Sequence, residues 1–206
     1  MANIPADDPS TTEGRILEAA KTVFIRNGFD GTSMQHIADL AGINKSLLHY
    51  YFRTKEKLFE AVFAFAFYQF VPQIQEILSD DATVFVKIER IVSEYMDMLL
   101  KNAIVPAFIL HEINRDPDRL VRVMQQTGLN PELFINQFVQ EMEQGKLKRT
   151  NPRHLLVNII SLCVFPIAAR PLIQRILFSN DSEAYQLFLQ ERKQEVTRFI
   201  IQSIQA

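Results

Sequence analysis

The chain is poor in cysteine and has no tryptophan. One cysteine among 206 residues excludes an intramolecular disulfide and fits a reducing compartment. The apolar stretches at 61–71 and 155–169 are short and are interrupted by polar residues or bounded by proline, whereas a membrane-spanning helix needs about 20 apolar residues. The N-terminal sequence MANIPADDPS has neither the basic region nor the apolar run of a signal peptide. We therefore expect a cytoplasmic protein without a membrane segment.

The motifs of common enzyme classes are missing too. The chain has no Gly-rich phosphate loop, no GxSxG sequence and no paired-carboxylate motif. His111 and Glu112 begin like a zinc-protease motif, but Arg115 occupies the place of the second histidine, and the four histidines show no metal-ligand spacing. Cys163 lies in an apolar run that is typical of a buried small residue. We expect no enzyme activity, no cofactor and no metal site.

The net charge of −2 is unevenly distributed along the chain. Residues 1–9 carry two acidic groups, residues 10–57 carry seven basic against five acidic groups, and the remainder has a balance of −2. The slightly basic segment permits DNA binding by a small domain, but it does not require it.

Helical periodicity and helix-ending residues indicate an all-α fold. An apolar content of 48%, with 16 phenylalanines, is enough for a sizeable core. Capping boxes at Ser10–Glu13 and Asn180–Glu183 predict the starts of the first and last helices, and Pro72 is expected to kink or end the fourth. The predicted body helices are 83–101, 104–115, 117–127, 131–144, 152–178 with a break near Pro166 or Pro171, and 182–204.

The segment from Thr32 to Lys57 has the spacing of a helix-turn-helix. Ala38 is small enough for two helices to approach closely, and Gly42 suits a left-handed turn. Asn44 is a good N-cap for a second helix, on which Leu48 falls at a core position. A plain helical hairpin without a DNA role shares part of this pattern. The spacing therefore favours a helix-turn-helix but leaves that alternative open.

The second helix of this motif predicts a set of DNA contacts. Recognition helices present their early residues to base edges in the major groove, and other polar residues position the protein on phosphates. Gln35 either reads a base or braces the helix end in a capping box with Thr32. The expected base contacts are Lys45, Ser46, Leu47 and His49, with Gln35 as a further one, and the expected phosphate contacts are Thr32, Ser33, Tyr50 and Lys55.

The sequence AGINKSLLHYYFRTKEKLF resembles the DNA-binding signature of the tetracycline-repressor (TetR) family of bacterial regulators. The resemblance covers about the first 60 residues, and it departs from the family at Asn44 in place of Ser, Ser46 in place of Gly and His49 in place of Tyr. It implies a DNA-binding domain at 10–53, after a disordered arm at 1–9, and a ligand-binding and dimerisation domain at 54–206. Since Ser46 and His49 lie on the DNA-facing side, no operator sequence can be carried over.

We expect a homodimer, because a dimer engages two half-sites of a palindromic operator. The helices near 152–178 and 182–204 carry the apolar residues for a four-helix bundle, which is the dimer form that the resemblance implies. On the last helix Tyr185, Phe188, Leu189, Val196, Phe199 and Ile200 form one apolar side. These residues are equally compatible with an intramolecular core.

The middle helices supply a mixture of apolar and a few polar residues that suits a pocket for a small, largely hydrophobic effector. Its candidate lining residues are Phe67, Tyr95, Met98, Phe108, His111, Glu112, Met124, Phe134, Phe138 and Phe165. The resemblance implies that the effector moves the fourth helix and releases a repressor from DNA. A helical partner-binding protein with a degenerate helix-turn-helix is the alternative.

Overall fold

The computed structural model describes residues 11–102, 106, 109–110, 113, 117–126 and 128–206. The predicted arm at residues 1–9 and most of the predicted helix at 104–115 lie outside these residues. Between residues 11 and 206 the described helices are α1 Thr12–Asn27, α2 Met34–Ala41, α3 Lys45–Tyr51, α4 Lys55–Ser79, α5 Val84–Lys101, α6 Pro117–Gln126, α7 Glu132–Glu143, α8 Pro152–Ala168, α9 Arg170–Phe178 and α10 Ser182–Ile204. The described part contains no strand, only an isolated bridge between Leu147 and Gln205. The all-α prediction is confirmed.

The chain divides into two compact units, Met1–Gln69 with Asn102–Val123, and Phe70–Lys101 with Met124–Ala206. The sequence-based boundary between 10–53 and 54–206 stays a prediction. In the first unit α1 packs on α2, and α2 packs on α3. The buried face of α1 includes Ile16, Ala20 and Phe24, which recur at helical spacing and bring the three helices around one core.

Three helix N-caps lie one residue later than the predicted caps. The side chains of Thr11, Ser33 and Asp181 accept the capping hydrogen bonds of α1, α2 and α10. A cap residue needs an extended backbone, but Asn180 has a φ of 67°, so its side chain cannot take the cap position and Asp181 does so instead. The capping boxes predicted at Thr32–Gln35 and Asn180–Glu183 are therefore wrong, and the first helix is capped by Thr11 rather than Ser10.

The fourth helix continues through Pro72. It runs from Lys55 to Ser79, so the prediction that Pro72 could end it is wrong. A proline inside a helix removes one backbone donor. The remaining turns and the apolar side chains at Val71, Ile74 and Ile77, all buried, hold the last part of the helix in place.

Two buried charged side chains close the connection between α4 and α5 in the second unit. The Lys87 ammonium, 1% exposed, donates to the carbonyl oxygen of Leu78 at 2.8 Å and thereby satisfies a carbonyl at the end of α4. The carboxylate of Glu141 on α7 accepts a hydrogen bond from the amide of Val84 at 3.1 Å and so caps α5 from another helix.

The last three helices lie in the second unit, where α10 packs on α5, α8 and α9. The predicted break in 152–178 is confirmed at Ala169, between α8 and α9. The hydroxyl of Tyr185 donates to the carbonyl oxygen of Pro166, which fixes α10 beside the end of α8. No single helix among the described residues is long and apolar enough to cross a membrane, while α8 and α9 taken together pass that test by length and composition, with a 76° bend between them.

Candidate nucleic-acid interface and effector region

The geometry of the α2–α3 turn is that of the predicted helix-turn-helix. Gly42 has φ 67° and ψ 35°, a left-handed conformation that a residue with a Cβ adopts only with strain. The side-chain oxygen of Asn44 accepts the amide of Leu47 at 2.8 Å and caps α3. Leu48 is fully buried, and it anchors the short helix against the domain. The turn, the cap and the anchor confirm the motif.

The outer face of α3 presents a mixed set of side chains. All the residues of α3 except Leu48 are exposed, and Tyr50 is the most exposed among the large apolar residues of the described chain, at 80%. The Tyr50 ring makes an edge-to-face contact with Tyr51, with centroids 5.5 Å apart. The exposed residues of α3 include those expected to contact bases or phosphates: Lys45, Ser46, Leu47, His49 and Tyr50.

One ring nitrogen of His49 is held by the protein. Nδ1 lies 3.1 Å from the carbonyl oxygen of Arg53. Because a carbonyl oxygen only accepts, Nδ1 is the protonated nitrogen in this contact. The ring orientation is therefore set from the protein side, while the side chain remains exposed.

Two predicted contacts on α2 have local partners. Ser33 is exposed and its oxygen accepts the amide of His36 at 3.2 Å, which leaves its hydroxyl proton able to donate elsewhere. Gln35 is exposed, and its amide nitrogen donates to the carboxylate of Asp39 at 2.7 Å. Gln35 therefore braces the surface of α2 and not its N-terminus.

Thr32 does not present its side chain to the outside. The residue is 4% exposed, and its hydroxyl donates to the carbonyl oxygen of Gly28 at 2.7 Å. The predicted phosphate contact of this side chain is corrected, because the hydroxyl closes the turn between α1 and α2.

Lys55 is also a structural residue. Its ammonium donates to the carbonyl oxygens of Phe29 and Thr32, at 2.9 and 3.0 Å, and lies 4.5 Å from the centroid of the Phe29 ring. Two of the three donors of the ammonium are therefore used within the domain, which gives Lys55 a structural role, while its predicted phosphate contact stays a prediction. The sequence did not predict the contact between Phe29 and Lys55, because the two residues are 26 positions apart and no local pattern indicates that they meet.

The predicted effector residues are only partly described. Phe108, His111 and Glu112, and the side chain of Phe67, lie outside the described residues. Met98, Phe134 and Phe138 are buried, Tyr95 and Met124 are half-buried, and the Phe134 and Phe138 rings are 6.2 Å apart. Phe165 is 61% exposed on α8, which corrects its assignment to an enclosed apolar pocket.

Two weak acids, one half-buried and one fully buried, lie near one another in the second unit. The Tyr95 ring stacks on Phe70 with centroids 5.5 Å apart, and burial, reinforced by the thiol of Cys163, raises the pKa of its hydroxyl. Burial likewise raises the pKa of the Cys163 thiol to about 12, although the Arg192 guanidinium acts in the opposite direction. Both groups are therefore neutral at physiological pH, which fits an apolar interior.

The apolar side predicted for dimer contacts on α10 is mostly internal core. Tyr185, Leu189, Val196 and Ile200 are at most 2% exposed within one chain. Their burial against α5 and α8 explains the apolar pattern without a partner and corrects the assignment. The large apolar side chains that remain exposed on α8 and α10 are Val157, Ile160, Phe165, Leu187 and Phe199.

Comparison with known proteins agrees with this geometry. Residues 16–62, which contain the whole helix-turn-helix, match the model of the tetR family of bacterial regulatory proteins. These residues therefore form a TetR-type DNA-binding domain. It is 27% identical over 182 residues to the probable HTH-type transcriptional regulator YttP of Bacillus subtilis, covering 85% of this chain and 86% of YttP.

Two further similarities concern the N-terminal DNA-binding domain and the fold. The HTH-type transcriptional repressor NicS of Pseudomonas putida is 41% identical over 59 residues, 29% of this chain and 28% of NicS. The crystal structure of FadR from Bacillus subtilis in complex with stearoyl-CoA has a TM-score of 0.64 at 16% identity, covering 92% of this chain and 98% of FadR. The chain is a DNA-binding transcriptional regulator, and these relatives are regulators rather than enzymes.

Proposed function

We propose that the chain is a homodimeric transcriptional repressor that binds a palindromic operator through α3 of each protomer and is released by a small, largely hydrophobic effector. The observation that carries this proposal is the construction of α3, in which the buried Leu48 anchors a helix whose other side chains are exposed. A helix held in this way can enter the major groove without unfolding its own core.

The proposed base contacts are made from α3. Lys45 donates to guanine O6 or N7, Leu47 contacts a thymine methyl group, and Ser46 bonds either a donor or an acceptor. His49 completes this set, and Gln35 contributes through the amide oxygen that its bond to Asp39 does not use. The proposed phosphate contacts are the hydroxyls of Ser33 and Tyr50, with Lys55 as the contact that the salt dependence of binding tests.

Exposed apolar side chains support the homodimer. Helices α8 and α10 pack on each other, and each exposes large apolar residues, among them Ile160 at 50% and Phe199 at 62%. Apolar surface of this kind is typical of a protein interface. Sedimentation analysis of Phe199→Glu tests this assignment, with Val86→Glu as a matched control because Val86 is a 43% exposed residue on α5. We expect only Phe199→Glu to yield monomers, and a dimer for both variants would contradict the interface.

The repressor and effector parts of the proposal rest on the relatives and on the interior of the second unit. NicS is named a repressor, and FadR was crystallised with stearoyl-CoA. Met98, Phe134 and Phe138 provide an apolar interior of the kind that adapts to a hydrophobic compound. The division of labour between 10–53 for DNA and 54–206 for effector and dimer belongs to this proposal. An effector must favour the DNA-incompetent state by about 1–3 kcal/mol to act as a useful inducer.

Selection of bound sequences from a random duplex pool tests the function directly. With the purified full chain at near-physiological salt, we expect enrichment of one palindromic site. Apolar acids and acyl thioesters of graded chain length are then screened for their ability to release the protein from that site, and fluorescence anisotropy measures the release. If the folded protein enriches no site, even after bound ligands are stripped off, the proposal of a repressor is overturned and a helical partner-binding protein is favoured.

A further inference from the structure

The bond between His49 and Arg53 restricts what His49 can offer to DNA. Nδ1 carries a proton and donates it to the Arg53 carbonyl oxygen at 3.1 Å. In a neutral imidazole the other nitrogen, Nε2, is then an acceptor without a proton. The two nitrogens of the five-membered ring point in divergent directions, so Nε2 is directed away from the carbonyl that holds Nδ1.

An acceptor on the recognition helix has few complementary partners. Phosphate oxygens accept and do not donate, so a neutral His49 held in this tautomer gains nothing from a phosphate. In the major groove the donors are the N6 amino group of adenine and the N4 amino group of cytosine, whereas guanine and thymine present acceptors. The fixed tautomer therefore selects between two classes of base.

We propose that His49 is a specificity-determining residue whose Nε2 accepts a hydrogen bond from the amino group of an adenine or a cytosine, at one position in each operator half-site. The inference rests on the proposed function, because it requires a specific operator. It goes further in assigning the class of base and the atom that reads it. The neighbouring exposed side chains of α3, Lys45 and Ser46, offer donors, so the His49 acceptor is complementary to them.

The test is a scan in which single amino groups are deleted from the selected operator. Adenine is replaced by purine and cytosine by 2-pyrimidinone, one position at a time, and binding is measured at about pH 8, where an ordinary imidazole is neutral. For the unmodified protein we expect that deletion of the amino group at one position per half-site lowers the binding affinity about three- to tenfold through the lost contact with His49. Comparing protein variants on the same duplex cancels the effect of the deletion on base pairing.

Two substitutions separate a reading role from a bracing role. His49→Asn keeps a donor near the position of Nδ1 and so preserves the bond to Arg53, but it has no atom at the position of Nε2. His49→Gln places an acceptor near the position of Nε2 and loses the brace. In His49→Asn we expect deletion of the amino group at that position to cause no additional loss of affinity. In His49→Gln we expect the additional loss of affinity to return. Tyr50→Phe is the control, because it should weaken all duplexes alike and leave the deletion profile unchanged.

The outcomes distinguish this inference from the function on which it rests. An enriched operator whose deletion profile is the same for the unmodified protein and His49→Asn would overturn the role of His49 and leave the repressor intact. A uniform loss of affinity in His49→Gln but not in His49→Asn, without any change of profile, would mean a bracing role and would also overturn it. A failure to enrich any operator would overturn both.

Discussion

The ammonium of Lys55 lies 4.5 Å from the centroid of the Phe29 ring and donates to the Phe29 carbonyl oxygen at 2.9 Å. The Phe29 ring in turn lies 4.9 Å from Phe59 and 6.1 Å from Phe24, so the lysine closes an aromatic cluster. The start of α4 is thereby fixed to the turn that precedes α2. A residue that resembles a phosphate contact in the sequence instead holds the DNA-binding domain together.

Replacing Lys55 by Ala should therefore destabilise the protein more than it alters DNA binding. Two carbonyl oxygens lose a charged donor, and hydrogen bonds to charged groups contribute about 1.5–3 kcal/mol. The loss of unfolding free energy is measured by urea unfolding, with amide hydrogen exchange as the probe of the N-terminal part of the chain. Lys57→Ala is the control, since the Lys57 side chain is 66% exposed and pairs with Glu60 on the same helix turn.

The salt dependence of operator binding distinguishes the two roles of Lys55. A lost phosphate contact would reduce the slope of log affinity against log salt by about one per protomer. We expect the slope to stay unchanged under conditions where the variant is folded. A reduced slope together with unchanged stability would return Lys55 to the phosphate contacts.

Leu47 and Leu48 are neighbours in sequence with opposite roles. Leu48 is fully buried, so Leu48→Ala should cost about 2–5 kcal/mol of unfolding free energy. Leu47 is 36% exposed, and Leu47→Ala should change stability by less than about 0.5 kcal/mol while lowering operator affinity. Paired thermal-unfolding and binding measurements check this contrast. Equal destabilisation by both substitutions would show that α3 packs through both residues.

The sequence was sufficient to predict the helix-turn-helix because its determinants are local. The left-handed turn at Gly42, the cap at Asn44 and the cap at Asn151 followed by Pro152 each act within a few residues. The roles of Thr32 and Lys55 depend on carbonyl groups that the fold brings to them, and the sequence carries no local signal of these contacts.

The apolar side of α10 shows a second property that the sequence does not determine. An amphipathic helix shows one apolar side, but the pattern does not state whether that side faces the same chain or a partner. Here Val196 and Ile200 are buried within one chain, on a helix that packs on α5 and α8, whereas Phe199, next to Ile200, remains exposed. Likewise, Pro72 has the sequence signal of a helix end, yet the packing of the following apolar residues maintains the helix to Ser79.

Asp80 should make stability fall at acidic pH. A hydrogen bond from the Ala82 amide, together with the Arg90 guanidinium and the Lys87 ammonium, lowers the pKa of Asp80 below its ordinary value of 3.8. Because the pKa is lower in the folded state, the stabilisation is complete above the unfolded pKa and is lost as pH falls through the folded one. Urea unfolding of the wild type and Asp80→Asn should differ by a constant amount above about pH 5, and this difference should shrink below about pH 4. A pH-independent difference would contradict the assignment.

Cys163 should be unreactive while the protein is folded. The thiol is fully buried, and burial raises its pKa to about 12. Only the thiolate attacks an alkylating reagent, so at about pH 8 the reactive fraction is on the order of 10³-fold below that of an exposed cysteine. Alkylation followed by mass spectrometry should show no modification in buffer and complete modification in denaturant. Fast labelling of the folded protein would mean that α8 opens to solvent around Cys163, and a labelling rate that rises with added effector would place that opening on the path from effector binding to DNA release.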